Sequence, residues 1–284
     1  MSTRAITVMT HGRPQETSAA LRELGEMAAA AGALLTLDAD ETAKHPLVGD
    51  VAGLAFDTPA APGAELCLAL GGDGTILRAL RSYARTSVPV FAVNFGEVGF
   101  LSTVEPERMR EGFARALAGT LDVLSLPAIE VEGPAGSHVA LNDLSLHRKV
   151  GGRVAELAYG IAGDEIGSVR CDGIVVATPA GSTGYNLANG GPVMAWGVAG
   201  MAVSFIAPHS LGARALVVAP DDVLMLHNSS RETLAVSVDG RPVGEIAPQQ
   251  VVRARFAHDI AKLAQMDGSS FYRRLREKFG RLSR

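Results

Sequence analysis

Glu65-Leu66-Cys67-Leu68-Ala69-Leu70 runs straight into Gly71-Gly72-Asp73-Gly74-Thr75. A short, unbroken apolar run closed by glycines is the pattern of a strand buried on both faces. The segment Ile76–Arg85 that follows has helical character. Upstream, Ala5–Thr10 reads as another short apolar strand. Thr17–Ala31 reads as a helix, with Leu21, Leu24, Ala28 and Ala31 recurring at helical spacing and Gly32 placed to end it. Leu34–Leu37 reads as a second strand, whereas Asp38–Gly63 is polar, punctuated by proline and without a clear period. Downstream, Val88–Asn94 reads as a strand and Glu105–Ala118 as a helix. Strand, glycine loop, helix and strand in succession predict a parallel α/β layout.

From about Leu121 to Phe256 helical periods largely vanish. Short β-like runs replace them at Ile129–Val131, Val139–Leu146, Glu156–Ile161, Ile174–Thr178, Val203–Ile206, Ala215–Val218, Thr233–Val238 and Gln250–Arg255. Glycine and proline separate these runs, which predicts a β-rich domain. The tail Ser269–Gly280 is amphipathic, with Phe271, Leu275 and Phe279 on one face and Arg273, Arg274 and Arg276 on others. The expected division is an N-terminal Rossmann-like α/β domain over residues 1–122 and a C-terminal β-sandwich-type domain over 123–258. Residues 259–284 are expected to pack back on the first domain.

Composition narrows the function classes. At 284 residues, with 47 % apolar and 20 % charged residues, the chain can bury a sizeable core and is not disordered. A net charge of −4 disfavours a nucleic-acid binder that works by neutralising phosphates. Of the 26 basic residues 22 are arginine, whose forked guanidinium suits phosphate and carboxylate. Two cysteines, Cys67 and Cys171, exclude a disulfide framework and a cysteine-built zinc site. Met1–Arg13 has no apolar signal region, and no apolar run reaches the roughly 18 residues of a membrane span. A cytoplasmic, reduced protein with no membrane partner is expected. The seven histidines show no HxxxH or HExxH spacing, so no histidine-built metal site is implied. His11, His147 and His209 read as structural.

Four loops could do chemistry. Gly71-Gly72-Asp73-Gly74-Thr75 lies where backbone N–H groups and a helix dipole favour an anion. A carboxylate inside a phosphate cradle repels phosphate, so Asp73 faces a metal ion or a hydroxyl whose proton it accepts. The alternative is a tight turn in which Asp73 or Thr75 caps the helix. A second loop, Asn94-Phe95-Gly96-Glu97-Val98-Gly99-Phe100-Leu101, ends the next strand, so the two loops form a cleft at the carboxyl edge of the sheet. The third signal is Asn142-Asp143, two polar residues that serve one site only where a strand bends or ends. The fourth is Arg170-Cys171-Asp172-Gly173, a strand, and then the small-residue run Thr178–Pro192 with Tyr185 inside it. Such a run packs backbone against a flat ligand, and tyrosine stacks and hydrogen-bonds. Pro208-His209-Ser210 and Asp239-Gly240-Arg241 are weaker signals. Neither GxxxxGK[ST] nor GxGxxG in the first turn occurs, which disfavours a P-loop NTPase and a Rossmann dehydrogenase.

In this order the segments resemble the NAD kinase family: GGDGT, the NxGxxGFL loop, an Asn-acid pair, and DG…TPxGSTxYxxxxGGP, with Pro208-His209-Ser210-Leu211 and Ser237-Val238-Asp239-Gly240 also matching. The likeness runs from about Glu65 onward. It implies transfer of the γ-phosphoryl of ATP, or of a polyphosphate phosphoryl, to the 2′-hydroxyl of the adenosine ribose of NAD. It also implies a divalent metal, Mg²⁺ carried on the donor, and a homodimer or homotetramer with its site between domains. By the resemblance, Asp73 is the proton acceptor, and Gly71, Gly72, Gly74 and Thr75 form the donor-phosphate loop. Gly74 and Arg78 lie beside the substrate or its phosphates, and Asn142 and Asp143 hold the adenosine. Arg153 is a basic contact, and Arg170 and Asp172 surround the nicotinamide half. Thr183, Gly184, Tyr185, Asn186 and Ala188 line the adenine and ribose, and Ala207 and Arg241 complete the substrate contacts.

Four positions depart from the family pattern: Asp143 for the usual Glu, Ala180 for Thr or Ser, Gly184 for Ala, and Glu97 where a basic or neutral residue is usual. They bear on substrate affinity rather than on the reaction. Two alternatives remain open. One is a lipid kinase sharing GGDGT, which would lack the TPxGSTxY block. The other is a non-catalytic NAD(H)-binding regulator, which would be expected to have lost Asp73.

Overall fold

Arg4–Thr10 forms β1, and Pro14–Ala30 forms α1 with its proline in the first turn, where a missing N–H costs nothing. There follow β2 (Ala33–Thr36), α2 (Ala39–Ala43), β3 (Leu54–Ala55), β4 (Leu66–Leu70), α3 (Asp73–Ser82), β5 (Val90–Val93) and α4 (Met109–Ala118). The strands pair in parallel in the order β5-β4-β1-β2-β3. Parallel strands need cover on both faces, and every residue of β4 and β5 is buried. Leu21, Leu24 and Ala28 of α1 share one core with Ile6, Val8, Leu35, Leu68, Phe91 and Phe113. This computed structural model describes residues 4–46, 48–59, 63–96, 99–101, 104–210 and 212–280. Glu97, Val98 and Leu211 of the sequence motifs lie outside the described residues.

Helix α3 starts at Asp73, three residues before the start expected from periodicity. Gly72 caps it, and its carbonyl accepts the N–H groups of Thr75 (2.9 Å) and Ile76 (3.2 Å). The glycine loop is therefore the first turn of the helix, at the carboxyl end of β4. The Asp38–Gly63 stretch holds α2, where Asp38 accepts the Glu41 N–H, and the two-residue β3.

The second part of the chain contains β6 (Asp122–Gly133), β7 (Gly136–Ala140), β8 (Asp143–Arg148), β9 (Ala155–Ile161), β10 (Asp164–Cys171) and β11 (Gly173–Ala177). After the short α5 (Tyr185–Ala188) come β12 (Met201–Ile206), β13 (Leu216–Val218), β14 (Val223–Asn228), β15 (Leu234–Val238), β16 (Arg241–Ile246) and β17 (Val251–Gln265). One antiparallel sheet has the order β13-β12-β11-β8-β15-β16. A second layer pairs β10, β9, β14 and the start of β17, also antiparallel. Leu144, Leu146, Ile174 and Val203 from the first layer meet Leu157, Leu224, Leu226 and Val252 from the second in one core, a two-layer sandwich.

Residues Met1–Ser125 with Ala261–Arg284 form one unit, and Leu126–Ile260 form the other. The end of β17 belongs to the first unit, where Leu263 and Ala264 pair in parallel with Val90 and Phe91 of β5. Helix α6 (Phe271–Phe279) follows it there.

Three details of the β-rich part differ from the sequence expectation. The run Val139–Leu146 is two strands, broken at Leu141 and Asn142. Strands β10, β14 and β16 carry little strand signal in the sequence: β10 and β16 are polar sheet edges, and β14 is a Leu-Met-Leu run with little β-branching. Strands β6 and β17 are longer than their apolar centres.

Candidate active site

In the first unit Asp73 does not cap α3. Its Oδ2 accepts the Phe100 N–H at 2.9 Å and its Oδ1 accepts the Leu101 N–H at 3.1 Å. A Cβ on Gly99 would overlap Oδ1, so the loop closes on the carboxylate only with glycine there. A carboxylate has about four lone-pair directions, and among the described residues these two N–H groups are its hydrogen-bond donors. A Cβ on Gly74 would meet nothing within 4 Å. The outer face of the first helical turn is thus open, where the leading N–H groups have no intrahelical acceptor. Thr75 is buried, with its hydroxyl against Gly71 of the same loop.

Arg78 is tied at the carboxyl end of β1. One guanidinium nitrogen lies 2.7 Å from the Thr10 carbonyl and 2.7 Å from Glu41 Oε1. Glu41, 1 % exposed, also accepts from the Thr10 N–H (2.8 Å), the Thr10 hydroxyl (2.9 Å) and Lys44 Nζ (2.7 Å). Burial alone would raise its pKa; the bonds from Lys44 and Thr10 and the Arg78 charge prevail and hold it below the ordinary value. Part of the Arg78 charge is therefore already matched by a carboxylate, which limits what it offers a phosphate.

In the second unit the break between β7 and β8 has a cause. The Asp239 carboxylate accepts the N–H groups of Leu141 (3.3 Å), Asn142 (2.7 Å) and Asp143 (3.3 Å). Those donors leave the sheet ladder for a side chain. Asp239 and Gly240 form the two-residue turn between β15 and β16, with φ of 49° and 70°, the left-handed pair that a type I′ hairpin needs. Asp143 is 7 % exposed. Burial, and then the neighbouring Asp239 charge, push its pKa up to about 6.

The small-residue loop is pinned to the same break. Thr178 donates its N–H to the Asn142 carbonyl (2.9 Å) and its hydroxyl to the Leu141 carbonyl (2.7 Å), and its oxygen accepts the Gly181 N–H (3.0 Å). A Cβ on Gly181 would overlap the Asn142 carbonyl. Asn142 and Asp143 thereby come together with the Gly181–Tyr185 stretch. Tyr185 is 42 % exposed, as a stacking ring requires. Partial burial, then Asp143 and Asp172, raise its pKa. Asp172 pairs with Arg148 at 2.6 and 3.3 Å, which lowers the Asp172 pKa. The pair and Tyr185 line one cavity of about 360 Å³. Arg148 also lines a second, of about 660 Å³, with Arg153, Arg170 and Arg231. The exposed Arg153 lies near Glu232, 3.9 Å away.

Other expected residues lie differently. Asn186 is fully buried, and its amide donates to the Ser182 and Pro192 carbonyls at 3.0 Å each. It closes the loop rather than facing outward. The Thr183 hydroxyl donates to the Ala180 carbonyl at 3.3 Å. Gly184 caps the start of α5 and Ala188 ends the helix, both exposed. Ala207 is exposed after β12 with φ 44°, and Arg241 is exposed at the start of β16. The roles of Glu41, Lys44, Arg148 and Asp239 were not read from sequence. The one available signal was Asp-Gly as a hairpin turn.

The family model described as the ATP-NAD kinase N-terminal domain matches residues 22–121, and that of the ATP-NAD kinase C-terminal domain matches residues 141–266. The NAD kinase of Lachnoclostridium phytofermentans is 32 % identical over 243 residues, covering 81 % of this chain and 83 % of that one. The NAD kinase of Gemmatimonas aurantiaca is 33 % identical over 236 residues, covering 80 % of each. In fold, the chain resembles yeast NADH kinase complexed with NADH, with a TM-score of 0.87 at 22 % identity over 99 % of this chain and 88 % of that one. It also resembles an NAD kinase from Archaeoglobus fulgidus in complex with ATP, with a TM-score of 0.71 at 23 % identity over 99 % of each. With two domain matches and curated relatives above 30 % identity across most of both chains, this protein belongs to the NAD kinase family of phosphotransferases.

Proposed function

We propose that this kinase moves the γ-phosphoryl of ATP to the 2′-hydroxyl of the adenosine ribose of NAD, with Asp73 as the proton acceptor. The observation that carries this reading is the Asp73 carboxylate. Two backbone N–H groups fix it beside the open first turn of α3, and among the described residues they take up two of its roughly four lone-pair directions. The ribose oxygen attacks the γ-phosphorus, the bond to the β–γ bridging oxygen breaks, ADP leaves, and the hydroxyl proton passes to Asp73. Positioning and charge neutralisation supply most of such a rate.

The N–H groups at the start of α3 cradle donor phosphate, with Arg78 at the edge. Asn142 and Asp143 hold the adenosine, Tyr185 stacks, and Arg170 and Asp172 serve the nicotinamide half. The complexes of the yeast and archaeal neighbours with NADH and ATP support the two substrates. Among the described residues no three His, Cys, Asp or Glu side chains converge on a metal position. A Mg²⁺ that arrives on donor phosphates would keep water as most of its other ligands, which leaves Asp73 to the hydroxyl proton. The metal would neutralise phosphate charge.

Polyphosphate is the alternative donor. We place the enzyme in the cytoplasm as a homodimer or homotetramer. Among the described residues no helix is long and apolar enough to cross a membrane. Val150, Ile166 and Val217 are exposed apolar side chains of the kind subunit contacts cover.

The test is NADP formation from NAD with Mg²⁺ and either ATP or polyphosphate, for the wild type and Asp73→Asn. The expected result is turnover with ATP and a loss of about 10²–10⁴-fold in the variant, with NAD affinity kept in calorimetry. Undiminished turnover in Asp73→Asn would remove the proton-acceptor role.

A further inference from the structure

Helix α6 grips the loop that grips Asp73. No peptide bond among the described residues is cis, so the carbonyl and N–H of the Phe100–Leu101 peptide point in opposite directions. The N–H, on Leu101, donates to Asp73 Oδ1 at 3.1 Å. The carbonyl, on Phe100, accepts from Arg274 Nη1 at 2.6 Å. An anion holds one end of a single planar group and a cation holds the other. Each polarises the peptide in the sense that strengthens the other bond.

The Phe100 side chain is held by the same helix. Its ring centroid lies 6.4 Å from that of Phe271 and 6.1 Å from that of Phe279, and Lys278 Nζ stands 4.4 Å from the ring centre. Phe271, Arg274, Lys278 and Phe279 recur at i, i+3, i+7 and i+8, one face of a helix. Arg274 is largely buried. Burial draws its pKa down to about 10, with Asp73 and Glu277 opposing, so it is a cation at neutral pH.

We propose that Arg274 is a positioning residue for Asp73, acting through the Phe100–Leu101 peptide, so that the C-terminal helix sets the orientation of the proton acceptor. This rests on the reading of Asp73 given above. Arg274 touches neither substrate nor reacting atoms in that reading. Its removal should therefore lower kcat and leave the KM for NAD in place, because small misorientations of a reacting group cost rate rather than binding.

The test compares Arg274→Met and Arg274→Lys by steady-state kinetics and by amide hydrogen exchange on the full chain. In Arg274→Met, kcat should fall about tenfold, the cost of one charge-assisted hydrogen bond, with the KM for NAD within about twofold. Exchange at the Phe100 and Leu101 amides should quicken about tenfold while exchange in β4 stays unchanged. Arg274→Lys keeps a cation and should recover kcat to within about threefold. Unchanged exchange at Leu101 would refute the grip. Faster exchange with unchanged kcat, or a raised KM alone, would refute the positioning role. Should Arg274→Met not fold, Arg274→Gln carries the same comparison with a smaller effect. If the Asp73 reading itself fails, the exchange data still decide whether Arg274 fixes the loop.

Discussion

Replacing Asp143 by asparagine should make the protein more stable while weakening its hold on substrate. The carboxylate is buried beside Asp239, and its pKa is pushed from 3.8 to about 6. Asp239 accepts the backbone N–H groups of Leu141, Asn142 and Asp143, and its charge beside Asp143 adds repulsion to the cost of burial. A raised carboxylate pKa means that the native state holds the proton more tightly than the unfolded chain. Stability from this group is present below the unfolded pKa and is lost as pH rises through about 6. Two pKa units or so correspond to about 3 kcal/mol lost by pH 7.5 and about 1 kcal/mol lost at pH 4.5. Asparagine keeps the shape and removes the charge. Urea unfolding should show Asp143→Asn more stable by about 2–3 kcal/mol at pH 7.5, with the gain shrinking to about 1 kcal/mol or less at pH 4.5. NAD affinity, measured on the same samples, should fall with the loss of the adenosine contact proposed for Asp143. A variant that is destabilised at pH 7.5, or whose gain does not depend on pH, would refute the electrostatic account.

Gly181→Ala should destabilise the protein by about 3 kcal/mol, because its methyl group would meet the Asn142 carbonyl, a backbone atom that cannot swing aside; denaturant midpoints test this, and an unshifted midpoint would show that the loop is not pinned as described. Glu41→Gln should cost about 2 kcal/mol at pH 7, leaving Lys44 and Arg78 without their carboxylate. Because the Glu41 pKa is held below its ordinary value, that deficit should close as pH falls through its folded-state pKa. Unfolding curves for both proteins across that range check the sign.

The α/β half was legible because its strands are buried on both faces. Leu66–Leu70 and Val90–Val93 are unbroken apolar runs, and nothing else that short packs so well. The β half was legible in class but not in count. Strand β10, Asp-Glu-Ile-Gly-Ser-Val-Arg-Cys, lies at a sheet edge with most side chains in solvent, so alternation is weak where it is needed. At the site, residue types were readable and partners were not. Asp73 announced itself as a carboxylate in a phosphate loop, yet its hydrogen-bond donors lie 27 and 28 residues away. The break that displays Asn142 is made by Asp239, 97 positions along the chain. Asn186 looked like a ligand contact by its neighbours, and only its burial shows that it fastens the loop.

The return of the chain after β17 bears on how the protein is made. Ala264 belongs to the core of the first unit, and Phe100 rests on Phe271 and Phe279. Protein synthesis delivers Ala264, Phe271 and Phe279 only after the β sandwich. The β sandwich of Leu126–Ile260 can complete its pairing while the α/β unit, begun earlier, still lacks an inner strand and the helix that secures its acidic loop. The portion born first is thus the last to mature. A nascent chain cut short before Phe271 would carry Asp73 but not the helix that holds its loop, so an interrupted product would lack an organised centre.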